Sequence, residues 1–151
     1  MAAETPRELA ERLRDTRKRL EEDVDVWLSS ADAEGCPYLV PLSFLWDGTH
    51  VLVSTVRTSP TSRNLLASGR VRLALGPTRD VVLVEGVAEA ADVEELPPGT
   101  ADAFALKTGF DPRELDRPYQ YFRIRPVRIQ AWREANELVG RELMRDGHWL
   151  G

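Results

Sequence analysis

From residue 24 to residue 92 the chain keeps returning to one pattern, a short β-forming run followed by a turn signal. "VDVWLSSA" (24–31) is followed by "DAEG", and "PYLVPLSFLW" (37–46) by Asp47-Gly48. "HVLVST" (50–55) is followed by a segment with proline in its first turn, and "VRLALG", "PTRD" and "VVLVEGVAEAAD" continue the series. Asp-Gly is a strong hairpin signal because its second position accepts positive φ. Strands joined by such short turns pair antiparallel, and a chain without βαβ alternation cannot build a doubly wound sheet.

The helices are few. Thr5-Pro6 predicts a helix start, with threonine as cap and proline in the first turn, where its missing N–H leaves nothing unbonded. Leu9, Leu13 and Leu20 then carry a helix to about Glu22, while the basic cluster between Arg12 and Arg19 alternates with acids and reads as a solvated face. "SPTSRNLLASG" predicts a second helix that stops at Gly69, and Pro97-Pro98 and Asp111-Pro112 bracket a third from about Thr100 to Lys107. Residues 119–134 alternate as a sixth strand, bent at Pro126, and the tail suits either a last helical turn or another strand. Trp27, Phe44, Trp46, Tyr121 and Phe122 read as core. The expected fold is mainly β (α+β): one domain, 1–151, with a six-stranded antiparallel barrel, short rim helices and an N-terminal helix over residues 1–22.

Composition narrows the function. A formal net charge of −5 argues against a nucleic-acid partner. No apolar run approaches the roughly 20 residues of a membrane span, and no export signal is visible, so a cytoplasmic protein is expected. Cys36 is the only cysteine, and His50 and His148 lie far apart, so no metal site is expected. There is no G-x-S-x-G, no G-x-G-x-x-G and no P-loop. The carboxylate pairs Glu21-Glu22 and Glu94-Glu95 lie on solvated segments, and no side chain stands out as a catalytic acid or base.

The densest chemistry lies in "STVRTSPTSRNLLASGRVRL" (54–73), which places Thr58, Ser59 and Thr61 at a helix start with Arg57 and Arg63 on either side. Helix N-termini offer backbone N–H groups and a favourable dipole to an anion, so this stretch suits a phosphate. It equally suits a well-capped turn with solvated arginines.

The strand "YLVPLSFLWDGTHVLVST", the S-P-T-S-R-N-L helix, "VRLAL", "TRDVVLVEGVAE" and "RPVRIQAW", in that order, resemble the pyridoxamine 5′-phosphate oxidase-like superfamily of split barrels. The resemblance covers about residues 24–150. It implies an oxidoreductase that uses FMN, or alternatively the deazaflavin coenzyme F-420, to move hydride to or from a small molecule. The rival readings are a non-catalytic flavin-, deazaflavin- or haem-binding protein and a structural dimer without cofactor. It further implies a homodimer with cofactor sites at the subunit interface. Carried over by position, the backbone of Val40, Pro41, Leu42 and Ser43 would line the isoalloxazine, Ser54 and Thr55 match the hydroxyl-bearing end of the third strand, Ser59 matches a phosphate-contacting serine, and Arg63 and Asn64 match the R-N-L of the helix, while Arg57, Thr58 and Thr61 join the phosphate reading from their place in the stretch itself. Asp80 falls where a glutamine usually bonds the ring, and Trp132 where a tryptophan packs beside it. Pro60 and Thr61 stand where the oxidases carry an adjacent arginine and lysine, and the late Arg-x-His substrate motif is missing. Authentic pyridoxamine phosphate oxidation is therefore not expected.

Overall fold

The computed structural model describes residues 5–151. Its elements run α1 (Leu9–Glu22), β1 (Asp25–Ala31), β2 (Pro37–Trp46), β3 (Val51–Val56), α2 (Pro60–Ser68), β4 (Arg70–Leu75), β5 (Val81–Ala91), α3 (Thr100–Thr108), β6 (Tyr119–Trp132), β7 (Glu142–Arg145) and β8 (His148–Trp149). The sheet order is β3-β2-β1-β4-β5-β6-β7-β8, and antiparallel pairing of β3 with β6 closes the first six strands into a barrel. The expected six-stranded barrel is thus present. The tail adds two short strands beside β6.

Two prolines and a glycine shape the barrel wall. Pro37 and Pro41 lack the N–H that a central strand must donate, so they belong where a strand has one neighbour. Residues Pro37 to Ser43 of β2 pair only with β1, and β3 takes over only from Phe44 to Trp46. One edge of β2 is therefore open over its first seven residues. Pro126 bends β6 as expected, opposite a register shift at Glu85/Gly86. A Cβ on Gly86 would stand 2.7 Å from Ile124 Cγ2 and 3.0 Å from the Arg125 carbonyl oxygen, so the bulge admits only glycine.

Strand alternation fills the interior. Val26 and Leu28 of β1, Phe44, Val51, Val53, Phe122, Ile124 and Ile129 form one buried cluster inside the barrel, with Leu13 and Leu20 of α1 plugging its end. Each such side chain stabilises the fold by roughly 1.5–3 kcal/mol through burial. Leu52 of β3 points outward instead and joins Phe104, Ala101 and Tyr121 in a second cluster under α3. Tyr121 is therefore core, as expected, but on the outer side of the wall. Trp27 departs from expectation. Flanked by inward Val26 and Leu28, it must face out, and it is 51% exposed.

The start of α1 also differs. The helix begins at Leu9 with Glu8 as N-cap and no side-chain cap bond, so Thr5-Pro6 stands outside it. Residues 1–4 of the expected helix lie outside the described residues. A distant partner explains the shift. Arg7 donates from its backbone N–H to Glu137 Oε2 at 2.9 Å and from Nη2 to Oε1 at 2.8 Å, which ties residue 7 to the far side of the chain. Arg12, expected in solvent, is 4% exposed and donates to the carbonyls of Arg7 and Glu137.

Candidate functional site

Where β3 passes into α2, two hydroxyls are linked and a third ties the strand to its neighbour. Ser59 is the N-cap, and its Oγ accepts from the Ser62 N–H at 3.1 Å. Thr55 Oγ1 lies 3.3 Å from the same Oγ. Ser54 Oγ donates to the Gln120 carbonyl at 3.2 Å, which ties β3 to β6. Thr61 is buried, and the buried Ser62 Oγ has no hydrogen-bond partner. Asn64 donates from Nδ2 to Ser30 Oγ at 3.1 Å, fixing α2 against β1. Capping does not exclude anion binding here, since Ser59 Oγ takes up only the Ser62 N–H.

Beside α2 runs a groove of about 400 Å³ lined by Asp32, Cys36 and Tyr38 from the β1–β2 hairpin and by Pro60, Arg63 and Asn64 from the helix. The exposed Arg63 guanidinium has no ion-pair or hydrogen-bond partner among the described residues. Along the open edge of β2, Val40 and Leu42 turn toward the barrel interior while Pro41 faces out. Ser43 is held by Asp25, to which its Oγ donates at 2.8 Å. The outer face of this hairpin is apolar: Trp27 stands opposite Pro41, and Leu39 is 59% exposed.

Other expected site residues lie elsewhere. Arg57 is exposed and lines a different cleft, with Arg113, Tyr119 and Tyr121. Thr58 is exposed beside it in sequence. Asp80 and Trp132 sit at the opposite end of the barrel, where Trp132 pairs in register with Val81. Thr55 pairs with Gln120 at the start of β6, twelve positions before Trp132. At about 3.3 Å per residue this is a path of roughly 40 Å along the strand. Within one chain, Asp80 and Trp132 do not meet the α2 groove. Arg141 lies over the Trp132 ring at 5.8 Å.

Asp80 is engaged in a charge network that sequence reasoning missed. Its Oδ2 takes Arg19 Nη2 at 2.7 Å, its Oδ1 takes Arg133 Nε at 3.3 Å, and its carbonyl accepts from Arg19 Nη1 at 2.9 Å. Gly76 makes room: a Cβ there would fall 1.7 Å from Arg19 Nη1. Glu137, buried between Arg7 and Arg12, is held down to a pKa of about 2, chiefly by the Arg7 side-chain hydrogen bond. Alternating charges in the α1 sequence were the only available signal, and they pointed to solvent.

Among the described residues, no group of three or more His, Cys, Asp or Glu is arranged to hold a metal ion. None of the helices is long and apolar enough to cross a membrane.

The barrel has solved counterparts. A heme binding protein from Mycobacterium smegmatis superposes with a TM-score of 0.66 at 19% identity, over 95% of this chain and 60% of that one. A FAD-binding protein from Mesorhizobium loti gives 0.60 at 21% identity, over 78% and 89% of the two chains. An F420 reductase gives 0.60 at 18%, over 75% and 94%. At these identities the likeness establishes the fold. No curated protein matches the sequence. Residues 14–133, spanning α1 to the end of the barrel, match the family profile described as pyridoxamine 5′-phosphate oxidase, and the chain belongs to that family.

Proposed function

We propose that the protein is a homodimer that binds a flavin-type cofactor, FMN or a deazaflavin, and uses it to move hydride to or from a small organic substrate. The observation that carries this reading is an open strand edge beside an unpaired cation: Pro37–Ser43 lacks a neighbour on one side, its first two residues line the α2 groove, and Arg63 in that groove makes no ion pair, although Asp32 also lines it. Backbone groups on such an edge can bond the polar rim of a flat ring, and a free guanidinium at a helix start suits a phosphate. An F420 reductase and a FAD-binding protein among the fold neighbours support the cofactor class.

When bound, the cofactor supplies the hydride chemistry, and the protein supplies binding, orientation and exclusion of water. In this reading Arg63, Ser59, Thr55 and Thr61 hold the phosphate at the positive end of α2. The backbone of Val40 to Ser43 orients the ring. The exposed apolar face of Trp27, Leu39 and Pro41 is covered by a second copy, because apolar side chains clustered and exposed on one strand face suit an interface. Trp132 reaches the cofactor from that second copy, since it cannot do so within its own chain. Asp80 serves α1, not the ring, because both its oxygens are taken by arginines.

The test is direct. Sedimentation should give a dimer at micromolar concentration, and calorimetric titration should give saturable binding of FMN or the deazaflavin. A monomer that binds neither would overturn the reading. Pro60 and Thr61, standing where the family has two cations, favour one second reading, a cofactor-free or haem-binding dimer. A Soret band on haem addition, with no flavin binding, would identify it.

A further inference from the structure

We propose that the open edge of β2 chooses between the two ring types and holds a 5-deazaflavin in preference to the flavin of FMN. This rests on the cofactor reading above and adds to it the residue that sets the choice, Pro41.

The backbone of β2 has two sides, and its bonds at either end fix which residue faces which. On the β1 side, Phe44 donates its N–H to the Val24 carbonyl at 2.8 Å, and the Cys36 carbonyl accepts from the Asp32 N–H at 3.2 Å. On the opposite side, Asp47 donates to the His50 carbonyl at 3.1 Å, in the turn that leads to β3. The β1–β2 register runs unbroken from Asp25 opposite Ser43 to Ala31 opposite Pro37, so the alternation holds along the whole strand. Even-numbered residues of β2 therefore bond β1, while Pro37, Leu39, Pro41 and Ser43 turn their backbone groups to the open side. Both prolines fall on that side, where a missing N–H breaks no ladder bond.

The open side is consequently rich in acceptors and poor in donors. It carries the carbonyls of Pro37, Leu39 and Pro41, but N–H groups only at Leu39 and Ser43. Within the stretch that orients the ring, Val40–Ser43, the outward groups are the Pro41 carbonyl and the backbone of Ser43. The Ser43 hydroxyl does not make good the deficit, because it donates to Asp25 at 2.8 Å.

In the reading above, the polar rim of the ring lies along this edge. FMN and its 5-deaza analogue differ on that rim at one position. FMN has a nitrogen there, whose lone pair needs a donor. The analogue has a C–H, which tolerates a facing carbonyl. A lone pair brought against the Pro41 carbonyl is desolvated without a partner, and that penalises the flavin alone.

FMN and 5-deaza-FMN, identical except at that position, are titrated calorimetrically into the full chain. The deaza form should bind at least about tenfold more tightly, the scale of one unmet hydrogen bond. Pro41→Ala places an N–H on the open side and should tighten FMN by a similar factor, with 5-deaza-FMN unchanged to within about twofold. If the alanine variant melts early, Pro41→Val supplies the same N–H in a stronger strand former. Pro37→Ala adds an N–H outside the ring stretch and should leave the ratio at the parent's value. An FMN affinity equal to or above that of the deaza form in the parent overturns the inference and leaves the cofactor reading standing. So does a deaza preference that a well-folded Pro41 variant keeps, or that Pro37→Ala narrows as much, since the choice would then be made elsewhere. If neither ligand binds, the cofactor reading itself falls and this inference falls with it.

Discussion

At the α1 end of the barrel, Arg7, Arg12, Arg19 and Arg133 each lie against a carboxylate of the same chain, whereas Arg57 and Arg63 flanking the start of α2 lie against none. The residue type is the same. The difference is whether the fold itself provides the counter-charge. Burying a guanidinium without one is prohibitive, so Arg7 and Arg12 at 8% and 4% exposure had to arrive with Glu137. Arg57 and Arg63 are exposed, and among the described residues their side chains have no partner.

The comparison can be broken most forcefully at Glu137. Glu137→Ala leaves Arg7 and Arg12 buried without their anion and should cost on the order of 3–5 kcal/mol in denaturant unfolding. A loss under about 1 kcal/mol, as for exposed pairs, would make the α1 network decorative. The acid limb of stability probes the same group without mutation. Its folded pKa of about 2 lies below the ordinary 4.5, so its contribution is full above pH 4.5 and disappears as pH falls toward 2. Glu137→Gln should flatten that limb of the pH–stability curve.

At the other end the readout changes from stability to binding. Arg63→Ala should weaken FMN or deazaflavin binding by roughly 1.5–3 kcal/mol while leaving stability within about 0.5 kcal/mol. If the mutant instead melts early and binds normally, the two ends are not different in kind. The smallest expected effect is at Ser59, where Ser59→Ala removes the cap bond to Ser62 and should lower stability by about 1 kcal/mol. Chemical denaturation of the cofactor-free protein measures it.

Much of this molecule was legible because its signals are local. The strand runs and their turns predicted the barrel, and Ser59 and Gly69 stand at the two caps of α2 as the helix rules require. The proline in the middle of β2 marks the open edge on which the cofactor proposal rests. What escaped depends on distance. Thr5-Pro6 is a sound helix start by every local rule, yet Arg7 is drawn away by a carboxylate 130 positions later. Trp27, expected in the core with the other aromatics, follows strand alternation instead, since inward Val26 and Leu28 put it on the other face. Arg57 and Arg63, six positions apart in sequence, point into different clefts because the turn into α2 lies between them. No spacing argument separates them.

The tie between Arg7 and Glu137 also sets an order of events. Made at roughly 5–20 residues per second, the chain delivers Glu137 on the order of ten seconds after Arg7. For that interval α1 has neither its anion nor a barrel for Leu13 and Leu20 to enter. The β hairpins close over short loops and need nothing from α1 to begin. The contact that fixes the first helix of the chain therefore cannot form until the sixth strand and Glu137 have been made.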